Sequence, residues 1–292
     1  MKTRCLILAL LLGVLSLGSG FAIGLEAVDC RGKLLQLPSM ALRVISLTPA
    51  STEILFAIGA GSQTVGLTEY CNYPAETKIK TKVGGFSGAT VSTESIVALK
   101  PDLVLVSGDM HEKISALLEK LGIRVFAMEP RTFEDVYKNI LAVGLLTGHS
   151  LEAALIVENM KTRLNAVSTR IAGRKPKAVF WELWDDPLMT AGGATFVNQA
   201  ITAAGGKNIF ADMSETWPTV SLEELLSRDA DWILAGNDHG NRANFTLISK
   251  RTGWSKLTAV RMGQIATVES DKIFRGGPRL VEAVEEIERI LR

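Results

Sequence analysis

Histidine is scarce in this chain. His111, His149 and His239 are the whole complement, and no two stand at the spacing of a metal-ligand pair. His111 follows an expected strand and reads as a solvated loop residue, His149 as a helix-start residue and His239 as a turn residue. Cysteine is equally scarce. Cys5 falls in the leader described below, which leaves Cys30 and Cys71. An oxidising compartment permits a disulfide between them, and two separate thiols are the alternative. The chain has no Gly-Lys-Ser/Thr phosphate loop and no Gly-x-Ser-x-Gly elbow. The glycine pairs that begin at Gly84, Gly192, Gly205 and Gly276 lack dinucleotide spacing. No catalytic residue, metal ligand or cofactor is therefore expected. With 32 Lys and Arg against 31 Asp and Glu, the net charge of +1 gives no reason to expect nucleic acid or a polybasic membrane contact.

The N-terminus reads as a cleavable signal peptide. Lys2 and Arg4 form its charged start and residues 6–17 an apolar run, shorter than the ~20 residues of a bilayer span. Gly20 and Ala22 supply the small residues before a cut, so the leader covers residues 1–22. An uncleaved anchor is the alternative. Cys30 follows Val28-Asp29 rather than a small residue at the end of the apolar run, so it does not read as a lipid attachment site. An exported periplasmic protein is expected. Its charge becomes −1 once Lys2 and Arg4 leave.

The rest is organised around one helix over residues 150–172. Ser150 can cap it and Glu152 suits its first turn. Val157, Met160, Leu164, Val167 and Ile171 recur three or four apart as one apolar stripe, and Gly173 and Pro176 stop it. At ~1.5 Å per residue this rod is roughly 35 Å long. Short apolar strands alternate with helices on both sides, which predicts mostly parallel sheets covered on both faces. The fold class is α/β, two Rossmann-like lobes joined by one long helix, with lobes over 23–149 and 173–292.

In the first lobe an edge hairpin is expected around Arg31-Gly32-Lys33, with strands over 43–47, 65–67, 103–106 and 124–128. Helices are expected over 52–58, 92–99 and 112–121, with another opened by a capping box at Thr132 and Asp135. The second lobe reads as strands over 178–184, 232–235 and 265–268 and helices over 195–204, 221–228 and 279–291. Ser221 and Glu224 read as a second capping box. Val91-Ser-Thr-Glu94 and Asp102 recur as Val220-Ser-Leu-Glu223 and Asp231 at a constant offset of 129 residues. So long an offset points to two related lobes.

Tyr70, Phe86 and Trp217 fall in expected loops beside Pro or Gly. Ligands of open α/β sheets bind in the loops at the strand ends, and small-molecule pockets are mostly apolar. Rings from both halves suggest one shared cleft. Trp181 and Trp184 lie on an expected strand and read as core.

Several stretches resemble a known family: Arg43-Val-Ile-Ser-Leu-Thr-Pro-Ala-Ser-Thr-Glu-Ile-Leu, Ser95-Ile-Val-Ala-Leu-Lys-Pro-Asp-Leu-Val, Gly205-Gly-Lys-Asn-Ile-Phe, Trp217-Pro-Thr-Val-Ser-Leu-Glu-Glu-Leu and Gly277-Pro-Arg-Leu. They resemble the periplasmic binding proteins of ABC importers, in the branch for vitamin B12, ferric siderophores and haem. The Trp217-Pro pair and the Ser270-Asp-x-x-x-Arg-x-x-Pro-Arg279 spacing resemble its vitamin B12 members most. The resemblance covers nearly all of the chain beyond the leader and implies a non-enzymatic receptor for cobalamin or a related corrinoid such as cobinamide. It also implies a monomer that serves an ABC permease dimer with its ATPase.

Residue by residue, the resemblance puts Tyr70 and Phe86 on the first lobe's side of the ligand and Trp217 on the second lobe's. Phe86 stands where the relative has tryptophan, and Met189 where it has phenylalanine. Asp271 and Arg275 match polar ligand contacts. A further tryptophan has no counterpart, since this chain reads Ser107-Gly-Asp. Glu94 and Glu223 match the acids that dock on permease arginines; helix capping is the plainer reading of both. Haem or a ferric siderophore on the same scaffold is the alternative ligand. Anionic siderophores call for an Arg or Lys cluster, and only Arg275 and Arg279 can be placed at the cleft. A periplasmic α/β enzyme is a third reading, for which no nucleophile–base pair is found.

Overall fold

The computed structural model of the chain describes residues 24–237 and 248–292. The expected leader and His239 lie outside the described residues. The chain opens with the anticipated hairpin, β1 (Leu25–Val28) against β2 (Leu34–Leu37), turned at Gly32 with φ +75°. Two four-stranded parallel sheets follow. The first comprises β3 (Val44–Ser46), β4 (Thr64–Leu67), β5 (Leu103–Ser107) and β6 (Val125–Met128), in the order β4-β3-β5-β6. The second comprises β7 (Lys177–Glu182), β10 (Gly206–Asn208), β11 (Trp232–Gly236) and β12 (Ile265–Val268), in the order β10-β7-β11-β12. The two sheets share one topology: each sheet's first strand lies between its second and third.

The internal repeat extends into the backbone. Asp102 accepts the N–H groups of Leu42 and Arg43 at 2.9 Å, tying β5 to the start of β3. Asp231 accepts the Ala178 N–H at 2.8 Å and ties β11 to β7 in the same way. The helices before these strands, α2 (Thr93–Ala98) and α7 (Leu222–Arg228), are capped by Ser92 and Ser221. Lys100, at φ 46°, and Asp229, at φ 38°, are the two non-glycine residues with positive φ among the described residues, and they too stand 129 apart.

The long helix is α5 (Ser150–Ile171). Its stripe serves two cores in turn. Ala153, Val157 and Met160 pack with Leu105, Phe126 and Ile140 of the first lobe, and Val167 packs with Val179, Trp181 and Leu234 of the second. The last helix, α10 (Leu280–Ile290), does the same: Leu280 and Val281 belong to the first core, Val284 and Ile287 to the second. Arg163 of α5 grips Glu285 of α10 at 2.9 and 2.7 Å. The rod is thus braced along its length by a second lobe-crossing helix.

The remaining α-helices lying wholly within the described residues are α1 (Pro49–Ala57), α3 (Glu112–Lys120), α4 (Phe133–Thr147), α6 (Phe196–Ala203), α8 (Thr258–Arg261) and α9 (Ser270–Phe274). Three sequence expectations about helix starts change. Ser150 is not the cap of α5. Gly148 closes α4 at φ 79° and only His149 separates the helices, so His149 takes the cap position and Ser150 is already helical. Ser221 caps α7, but Glu224 turns to Arg228 at 2.8 Å, so the reciprocal half of that capping box is not made. The box at Thr132 and Asp135 forms completely. Helix α1 starts earlier than expected because Thr48 caps it and Pro49 suits a first helical position.

Two expectations about strands and cysteines also change. Trp184 is not core. Asp185-Asp186-Pro187 reverses the chain rather than merely ending the strand, and β8 (Trp184–Asp185) pairs antiparallel with β9 (Leu188–Met189). This hairpin lifts Trp184 off the sheet and leaves it 39% exposed. The permitted disulfide is not made, and both thiols are free. Cys30 hydrogen-bonds its backbone to Ala127 on β6, whereas Cys71 lies just beyond β4 on the far side of the same sheet. Three strand spacings of about 4.8 Å exceed the reach of a disulfide.

Candidate functional site

The loops at the C-terminal ends of the parallel strands carry most of the expected site residues. After β4 the chain presents Tyr70, and the loop that returns to α2 presents Phe86. Their rings meet edge to face, centroids 5.7 Å apart, and Tyr70 stays 60% exposed. They line an open depression of about 490 Å³ with Glu69, Ser87 and Thr90. The Phe86 loop is held in shape by backbone. The Glu69 N–H donates to the Gly84 carbonyl at 2.9 Å, and Gly84 bridges Val91. Gly84 sits at φ +118°, and a Cβ there would stand 2.3 Å from the Thr90 carbonyl oxygen, so only glycine closes this turn.

His111 fixes the same loop from below. Its position after a strand predicts a solvated loop residue, but it is fully buried. Its Nδ1 accepts the Ser107 N–H at 3.0 Å, which makes Nε2 the protonated nitrogen, and Nε2–H donates to the Phe86 carbonyl at 2.9 Å. Burial pushes its pKa below the usual imidazole value, partly opposed by the Phe86 carbonyl and Glu129. A second proton on Nδ1 would face the Ser107 N–H. A neutral imidazole therefore staples the end of β5 to the backbone beneath the Phe86 ring.

In the second lobe the site residues gather around α9 and the turn into α10. Asp271 and Arg275 form an ion pair at 2.7 Å. Arg275 also donates to Glu53 of α1 at 2.8 Å, and Arg279 binds both oxygens of Glu53 at 2.8 and 2.7 Å. Glu53 is 2% exposed, so its charge is carried almost wholly by these two guanidiniums. The Arg279 guanidinium lies 3.9 Å from the centre of the Tyr73 ring, in the loop that bears Tyr70. This cluster joins the first lobe's aromatic loop to the second lobe. On its far side Phe274 meets Trp217 edge to face at 5.8 Å and Trp181 at 5.9 Å. Met189 is half-buried on the β8–β9 hairpin, and its backbone bridges Thr219, two residues past Trp217.

Glu94 and Glu223 are both exposed in the first turns of α2 and α7. The cap acceptor is the Ser92 or Ser221 hydroxyl in each case, not the acid. The structure thus brings Tyr70 with Phe86 and Asp271 with Arg275, sets Met189 beside the Trp217 loop, and leaves Glu94 and Glu223 exposed on their helices. Among the described residues, no ring–ring contact links the Tyr70–Phe86 pair to Trp217. Sequence reasoning missed Glu53, Tyr73 and the role of His111. Glu53 falls in the stretch over residues 43–55, and the one charge of an otherwise uncharged helix is the available signal.

No helix among the described residues is long and apolar enough to cross a membrane, and none of their His, Cys, Asp and Glu side chains cluster as a metal site. Residues 44–272 match the family model described as periplasmic binding protein. An uncharacterised ABC transporter substrate-binding lipoprotein, YvrC of Bacillus subtilis, is 34% identical over 84% of this chain and 78% of its own length. The vitamin B12-binding protein of Yersinia pseudotuberculosis is 29% identical over 91% of this chain and 92% of its own. The crystal structure of a possible iron-binding periplasmic solute-binding protein from Staphylococcus epidermidis has 28% identity. It superposes with a TM-score of 0.77 and covers 86% of this chain and 99% of that one.

Proposed function

This chain belongs to the periplasmic binding protein family, as a solute receptor of an ABC importer and not an enzyme, and from that premise we propose that its solute is cobalamin or a related corrinoid. The observation that carries this reading is the state of the cleft arginines. Arg275 and Arg279 are both bound to the buried Glu53, while the Tyr70 and Phe86 rings stand open. The site thus offers flat apolar surface more than free positive charge. A large planar macrocycle suits such a site, and each ring that stacks on it adds ~0.5–1.5 kcal/mol beyond area burial. Haem propionates and anionic siderophores ask for cations that Glu53 holds back.

The receptor works in the periplasm as a monomer after loss of the leader. Its Glu94 and Glu223 meet basic residues on the two halves of the permease. The match to a vitamin B12-binding protein over most of both chains supports this reading. Calorimetric titration with cyanocobalamin, dicyanocobinamide, hemin and a ferric hydroxamate tests it. Tight binding of either corrinoid and weak binding of the other two is the expected result. A preference for hemin or the hydroxamate overturns it.

A further inference from the structure

We propose that Trp184 is a ligand contact of the second lobe; this deepens the solute-receptor reading above and rests on it. Trp184 opens the β8–β9 hairpin at the C-terminal end of β7, the edge from which sheets of this kind present their ligand loops. It pairs directly with Met189 across the hairpin, so the two side chains share a face. The next pair, Asp185 and Leu188, faces the other way. Leu188 packs with the core around Phe180 and Phe210, and Asp185 approaches Arg251 at 3.8 Å. That face is therefore committed to the lobe, and the Trp184–Met189 face is the one turned out. The bridge from Met189 to Thr219 puts this face beside the loop that carries Trp217.

An indole left 39% exposed needs a reason, since so large a ring is ordinarily buried or engaged. Here it is held in place. The Trp184 Nε1–H donates to the Asp186 carbonyl at 2.9 Å across the turn, which satisfies its polar edge and fixes the ring plane. Such a ring is preorganised and adds contact area at little further entropic cost. Met189, opposite it on β9, supplies no ring, so Trp184 is the aromatic surface of this hairpin face.

The test is calorimetry on Trp184→Ala and Trp184→Phe with cyanocobalamin, dicyanocobinamide, hemin and a ferric hydroxamate, alongside melting curves and iodide quenching of tryptophan fluorescence. For whichever of these the wild type binds, Trp184→Ala weakens binding about tenfold and Trp184→Phe by much less, with melting temperatures nearly unchanged. Ligand also shields one iodide-accessible tryptophan in the wild type that is missing in Trp184→Phe. Wild-type affinity in Trp184→Ala, or a loss that tracks a lowered melting temperature, overturns the inference and leaves the corrinoid reading standing. Failure of the wild type to bind any of the four overturns that reading and the inference with it. Binding of hemin or the hydroxamate alone, weakened in Trp184→Ala, overturns the corrinoid reading and keeps the contact.

Discussion

Glu53 and Arg279, 226 residues apart in sequence, form a two-point ion pair between the lobes, Arg279 Nε to Oε2 at 2.8 Å and Nη2 to Oε1 at 2.7 Å. Arg275 donates to the same carboxylate at 2.8 Å, and all three side chains are nearly closed to solvent. Removing the acid takes away the buried counter-charge the two guanidiniums share and leaves only the more exposed Asp271 on Arg275 and Glu269 on Arg279. Glu53→Gln should lower stability by about 3 kcal/mol, the usual result of breaking a buried pair from one side. Urea unfolding with unchanged m-value measures it. A loss under about 1 kcal/mol would show that the cluster is solvated in solution.

The same cluster, α5 and α10 all cross between the lobes. Helix bending needs a proline, a glycine pair or a π-bulge, and residues 151–172 contain no Pro and no Gly. The sequence of the rod argues for little closure, and the bracing by α10 and the Glu53 cluster adds to it. Small-angle scattering of the wild type with and without cyanocobalamin should give superimposable curves. A clear fall in radius of gyration on binding would remove rigid docking of the ligand from the account.

His111 gives the fold a pH dependence. Its folded pKa is depressed, so above pH 6.5, its ordinary value, both native and unfolded imidazoles are neutral and its contribution is complete. As pH falls below that value the unfolded chain gains a proton that the buried ring resists. Stability then drops by at most ~1.4 kcal/mol per pH unit until the folded value is reached. Urea midpoints for wild type and His111→Gln at pH 7.5 and 5.5 test this. The wild type should lose more stability over that interval than the variant, and parallel behaviour would contradict the assignment. His111→Gln should also loosen the Phe86 loop and weaken ligand binding at pH 7.5.

Much of the architecture was legible because it is local. The apolar stripe of α5, the β-branched runs of β3 and β5 and the 129-residue repeat are all written along the chain. The Asp102 and Asp231 ties were visible only as matched letters; their carboxylates bond the start of a neighbouring strand, which no local pattern states. Glu53 and Arg279 meet through tertiary structure alone. His111 looked like a loop residue because its burial depends on the Phe86 loop folding back over it. Trp184 continued a strand-like run, and the chain reversal at Asp186-Pro187 decided its exposure. Strand β10 is three residues long and starts at a glycine, too short for any periodicity.

Trp217 and Trp181 both touch Phe274 but differ in what they should do. Trp181 is fully buried in the second core, with its indole nitrogen unpaired among the described residues. Trp181→Ala should cost about 3–5 kcal/mol of stability. Trp217 is only half-buried in a loop, so Trp217→Ala should lower affinity for cyanocobalamin by roughly 2 kcal/mol and stability by less. Calorimetry and melting curves on both variants separate the two roles. Equal affinity of Trp217→Ala and wild type would take Trp217 out of the site.

Glu94 and Glu223 hold matching places at the heads of α2 and α7. Capping is carried by Ser92 and Ser221, which accept the Ser95 and Glu224 N–H groups at 3.1 Å. What remains for the acids is a helix-dipole contribution of ~0.3–1 kcal/mol each, which needs no matched pair. The proposed docking of two like lobes on a permease with two like halves would use one exposed acid per lobe. Glu94→Ala with Glu223→Ala should therefore leave cyanocobalamin affinity intact and the melting temperature within a few degrees. Stimulation of the permease ATPase at limiting receptor should fall. Rim charges act mainly on association and are screened by salt, so added salt should depress wild-type stimulation more than that of the double variant. Full stimulation by the double variant at limiting receptor would leave the acids with the helix dipole alone.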